Sequence, residues 1–139
     1  ISPRIYREFI KPYHTQLVNH FKERRTGITM HVCGYVDPIM KDLVETGCSA
    51  LSIDAPSSLE KMVREAQGKV VIIGNVATDI FLSGKEQEME AEIRRCVDTA
   101  GGGSGFILSS GCEVPPDASK EVVQHFCDFA RSYGRYDRN

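Results

Sequence analysis

His31 and Cys33 stand two residues apart in the stretch ITMHVCGYVDP (28–38), an imidazole and a thiol at the end of an apolar run. On an extended chain, residues i and i+2 leave the same face roughly 6–7 Å apart, so both side chains can reach one cation. A third donor must come from elsewhere. Cys112 in ILSSGCEVPP is the best placed, because it too lies just past an apolar run. One imidazole and two thiols suit zinc, which in catalytic centres keeps a fourth position for water or substrate. A thiol substrate in that position would be a thiolate at neutral pH, since the cation withdraws charge from sulfur. The plainer alternative is that His31 and Cys33 simply pack in a buried strand.

Two further polar residues close apolar runs and are candidate catalytic groups. Asp54, directly before APSSLEK, could cap the next helix, brace the rim of a site, or add a metal ligand. Asn75 in IIGNV could orient a substrate through its amide, or serve an ordinary turn. Glu113 could bind metal or be solvated. Cys48, Cys96 and Cys127 fall in or beside helical stretches and read as small buried hydrophobes. His14, His20 and His125 lie on helices with no partner at ligand spacing.

The elements that must position these residues alternate along the chain. Ile5, Phe9, Tyr13, Leu17 and Phe21 form one apolar stripe on a long first helix that opens with Ser2-Pro3 and is bent by Pro12. Four short apolar runs at 28–33, 50–54, 70–75 and 105–110 read as strands. Between them lie helical stretches opened by Asp37-Pro38, by Ser57-Ser58 and by an acid-rich turn at 86–90, and a last helix puts Val122, Phe126 and Phe129 on one face. A Gly101–Gly103 loop precedes the fourth strand. The order α-βα-βα-βα-βα calls for parallel strands joined by crossovers.

Alternation within the strands narrows the architecture. Ile28, Met30 and Val32 face one way and Thr29, His31 and Cys33 the other; Leu51 and Ile53 oppose Ala50, Ser52 and Asp54. A sheet covered by helices on both faces would be apolar on both, whereas a small and polar face suits a barrel interior. The polar strand ends fit the rim at which barrel enzymes place their chemistry. Four strands predict half of a (β/α)8 TIM barrel, in one segment covering residues 1–139. Its two open edges and its concave face predict association with a second copy or with the other half of a barrel.

Composition excludes other classes. Of 139 residues, 41% are hydrophobic and 26% charged, with a formal net charge of −2 and no basic stripe, which argues against nucleic acid and anionic membranes as partners. No apolar run approaches the roughly 18 residues of a membrane span, and the charged start is unlike a signal peptide, so the expected location is cytoplasmic. Five cysteines without a compact framework fit reduced thiols better than disulfides.

Taken together, ITMHVCG, ETGCSALSID, VVIIGNV, LSGKEQE and GFILSSGCEVPPDAS resemble the uroporphyrinogen decarboxylase superfamily, over nearly the whole chain. Within it they are most similar to the C-terminal half of the zinc-dependent methylcobalamin:coenzyme M methyltransferases. The resemblance implies zinc on His31, Cys33 and Cys112, and transfer of a methyl group from a methylated corrinoid on a partner protein to a thiol such as coenzyme M. Decarboxylases of the superfamily typically carry glycine-histidine-glycine where this chain has Gly111-Cys112-Glu113. A decarboxylase-like lyase and a non-catalytic half-barrel with a structural zinc are the alternatives.

Overall fold

The structure, a computed structural model, describes residues 1–102 and 105–135; Gly103 of the expected glycine loop lies outside the described residues. Four parallel strands, β1 (Thr29–Val32), β2 (Ala50–Ile53), β3 (Val71–Val76) and β4 (Phe106–Ser110), lie side by side in chain order. The register sets His31 opposite Ser52, Ser52 opposite Ile73 and Ile73 opposite Ile107, one row across the sheet. The strands fall within a residue of the expected runs, so Cys33 and Asp54 begin the loops that follow their strands.

Helices α1 (Pro3–Ile5), α2 (Lys11–Glu23), α3 (Met40–Glu45), α4 (Leu59–Ala66), α5 (Ile80–Ser83), α6 (Glu86–Ala100) and α7 (Lys120–Tyr133) complete the order. Local chemistry starts several of them. Ser58 Oγ accepts from Lys61 N and Ser119 Oγ from Val122 N, each satisfying a free donor of the first turn. The cap of α4 is therefore Ser58, and Asp54 is released from that role. Glu86 and Glu88 occupy the first turn of α6, where the helix dipole favours negative charge.

One face of the sheet is sealed. Leu51, Ile53, Ile72, Val76 and Phe106 pack with Leu43, Leu59, Met62, Met89 and Ile93 from the helices in a continuous core. The opposite face stays open: Thr29 and His31 are exposed, Ser52 and Ile73 half-buried, and Ile107 is 53% exposed. The division follows the period-two pattern of the strands. No helix among the described residues is long and apolar enough to cross a membrane.

The N-terminal helix departs from the expectation. Its stripe faces outward: Ile5, Phe9, Tyr13 and Leu17 are exposed, and Tyr6 and Val18 are the buried residues. Polar anchors account for this. Buried Asp42 on α3 accepts from Arg7 Nε at 2.9 Å and from Lys11 Nζ at 2.9 Å, and Lys11 also pairs with Glu45. These contacts turn the Tyr6–Arg7–Lys11 side of the helix toward the body. Where a bend was expected at Pro12, a π-helical segment, Tyr6–Ile10, precedes the proline, and Lys11 N bonds Tyr6 O just before the ring that lacks a donor.

Candidate metal centre

Three side chains from two loops and a strand meet at the open rim. His31 lies on β1, Cys33 directly follows it, and Cys112 follows β4. His31 Nε2 is 3.1 Å from Cys33 Sγ, Cys33 Sγ is 3.5 Å from Cys112 Sγ, and Cys112 Sγ is 3.7 Å from His31 Nε2. All three donor atoms lie within 4.8 Å of one another. With zinc–sulfur bonds of about 2.3 Å and zinc–nitrogen bonds of about 2.0–2.1 Å at tetrahedral angles, sulfurs sit about 3.8 Å apart and nitrogen about 3.6 Å from sulfur. The spacings seen differ from these by a few tenths of an ångström, within side-chain adjustment. The donor set and its spacing fit a zinc ion.

The imidazole is oriented from behind. Ser52 Oγ lies 2.9 Å from His31 Nδ1, across the β1–β2 register. When Nδ1–H donates to that hydroxyl, Nε2 keeps its lone pair toward the two thiols, the arrangement metal-ligating histidines ordinarily show. Ser52 was visible in the sequence only as a small polar residue of the inner face; its pairing with His31 depends on register, which the sequence does not carry. Between the thiols, the hydrogen bond with Cys112, followed by burial, raises the pKa of Cys33 above that of a free thiol. A cation at this point acts in the opposite sense, because it stabilises thiolate.

Asp54 and Asn75 do not join the donor cluster. Asp54 Oδ2 accepts from Gly34 N at 2.8 Å and Oδ1 from Ala55 N at 2.7 Å, so its carboxylate is engaged with backbone beside the centre. Asn75 is 0% exposed and reaches away from the open rim. Its Nδ2 donates to Ser57 O at 2.9 Å and Asp54 O at 3.3 Å, while Oδ1 accepts from Arg95 Nη2 of α6 at 3.2 Å. The amide that could have oriented a substrate or served a turn is enclosed among loop and helix groups. Ser57, a residue the sequence reading used only as a helix start, links the same loops: its Oγ accepts from Val36 N at 2.9 Å and donates to Gly34 O at 2.8 Å. Glu113 is exposed. Cys48 and Cys96 are buried, and Cys127 is only half-buried.

A half-barrel with a rim cluster of one histidine and two cysteines defines a class, and comparison with known proteins gives its family. Residues 1–133 match the uroporphyrinogen decarboxylase (URO-D) family, and the chain belongs to it. The methylcobamide:CoM methyltransferase MtbA of Methanosarcina mazei is 22% identical over 134 residues, covering 96% of this chain and 38% of that protein. Uroporphyrinogen decarboxylase 1 of Oryza sativa subsp. japonica is 29% identical over 140 residues, covering 99% of this chain and 34% of that one. A solved methyltransferase from Methanosarcina mazei superposes with a TM-score of 0.80 at 23% identity, over 97% of this chain and 39% of its own. The chain thus spans well under half the length of these relatives, and its fold is that of a half-barrel.

Proposed function

We propose that the chain supplies the zinc-binding half of a methyltransferase site that moves a methyl group from a methylated corrinoid, carried by a partner protein, to a small thiol of the coenzyme M type. The convergence of His31 Nε2, Cys33 Sγ and Cys112 Sγ at the open rim is the observation that carries this reading. A zinc ion held there would supply Lewis acidity that keeps an acceptor thiol deprotonated and nucleophilic at neutral pH. His31, Cys33 and Cys112 would hold the ion through three donors at the open rim, and a catalytic zinc with three protein ligands would have a position left for the acceptor. Ser52 fixes the plane of the His31 imidazole, and Asn75 acts on the site through the loop carrying Asp54 and Ser57 without touching substrate.

The remaining contacts to the corrinoid protein and to the far end of the acceptor belong to the rest of a barrel. In this reading the 139 residues are the C-terminal half-barrel of a longer, cytoplasmic enzyme, a view supported by the short span relative to the family. Decarboxylases among the relatives, at identities up to 29%, favour a second reading as a metal-independent lyase. Two thiols within 3.5 Å of each other and beside an imidazole weigh against it.

Methyl transfer from methylcobalamin to coenzyme M, assayed with the full-length protein and with its Cys112→Ala variant, tests the proposal. The expected result is thiol methylation that falls at least a hundredfold in the variant. Undiminished transfer in Cys112→Ala, or porphyrinogen decarboxylation without metal, contradicts it.

A further inference from the structure

We propose that Asp54 is the positioning residue of the centre: it seats the two chain segments that carry Cys33 and Cys112 and serves neither as a metal ligand nor as a proton carrier. The consequence for metal binding rests on the reading of His31, Cys33 and Cys112 as a zinc site; the placement of the two thiols does not.

Cys33 and Cys112 are 79 residues apart in the sequence and leave opposite edges of the sheet, β1 and β4. Asp54, just past β2, lies between them. Its Oδ2 accepts from the N–H of Gly34, the residue after Cys33. Against its Oδ1 packs Gly111, the residue before Cys112: a Cβ there would come to 3.1 Å from Oδ1 and 2.6 Å from Ala55 N. Each ligand cysteine therefore has a glycine neighbour resting on the same carboxylate, for different physical reasons. Gly34 adopts φ +74°, a conformation that side chains disfavour, with open space around it. Gly111 is required by the closeness of the contact.

The carboxylate is itself held. Oδ1 accepts from Ala55 N, and behind it Asn75 donates to the carbonyls of Asp54 and Ser57, while Ser57 bonds both Gly34 and Val36. Both oxygens of Asp54 thus have backbone donors, and the metal-capable cluster found among the described residues consists of His31, Cys33 and Cys112 without it. An amide in its place has one acceptor fewer and turns an NH2 group toward a backbone N–H. Asp54→Asn conserves shape, removes one of the two bonds and sets donor against donor.

Two readouts on the full chain test this. In metal-free protein equilibrated with glutathione, Cys33 and Cys112 exchange with oxidised glutathione to give one protein disulfide and two reduced glutathiones; peptide mapping of that pair measures the effective concentration of one thiol at the other. Asp54→Asn should lower it at least tenfold, with far-UV circular dichroism unchanged, and should weaken zinc binding about 10–100-fold. Gly111→Ala, which lifts the Cys112 segment from the same seat and leaves the carboxylate intact, should shift the thiol readout in the same direction. An effective concentration within twofold of wild type in both variants overturns the proposal, as does loss of an oxygen ligand from the zinc shell in Asp54→Asn. Wild-type protein that binds no zinc yet shows the drop in thiol pairing would reject the metal reading and uphold the positioning role.

Discussion

In the proposed zinc site Cys33 and Cys112 are two of the three donors, and the metal-capable cluster among the described residues contains no other cysteine. Cys48 and Cys96 are buried apart from the cluster, and Cys96 contacts Asn75 and Arg95 on the helical side. Cys33→Ala should therefore weaken zinc binding on the order of 100-fold or more, because each ligand carries a large share of the binding free energy. Cys96→Ala should retain zinc fully and lose about 1 kcal/mol of stability to the small cavity left in the core. A zinc titration with a chromophoric competitor, beside a urea melt, reads both; equal zinc loss in the two variants would indicate misfolding. At this scale much of the site was legible. His31 and Cys33 share a strand face by simple alternation, and Cys112 follows another strand end. Asn75, open in the sequence to orienting a substrate or serving a turn, is enclosed in the loop and helix layer, a placement that strand position alone does not give.

At the scale of elements, strands and most helices announce themselves through alternation and through caps such as Ser58 and Ser119. The outward turn of the N-terminal helix did not, since it depends on Asp42 meeting Arg7 and Lys11 from 31 to 35 residues away. These partners, the Arg7 hydrogen bond foremost, hold the Asp42 pKa below the usual carboxylate value. A lowered folded pKa stabilises the protein above the unfolded value of about 3.9, and the contribution is lost as pH falls through the folded value. Asp42→Asn should cost about 1–2 kcal/mol at pH 7, the lower range because Arg7 is largely exposed. The difference from wild type should shrink below about pH 4. Denaturant melts at pH 7 and pH 3 measure it, and an equal difference at both would show that the ion pairs do not hold the helix.

The whole molecule is a half-barrel with one face sealed and the other open, bounded by β1 and β4 as edges. Ile107 and His31 at the two ends of the central row are exposed, as are the apolar residues along the N-terminal helix. Such edges and apolar surface favour association. The chain alone should sediment as a dimer at micromolar concentration, and a clean 15.5 kDa monomer would show the open sheet to be self-sufficient. Whether His31, Cys33 and Cys112 hold one zinc ion together is read by X-ray absorption at the zinc edge on protein loaded with one equivalent. Two sulfurs at about 2.3 Å and one imidazole nitrogen at about 2.0–2.1 Å, completed by a light atom, are expected. A shell of oxygen and nitrogen alone, or with a single sulfur, would contradict it.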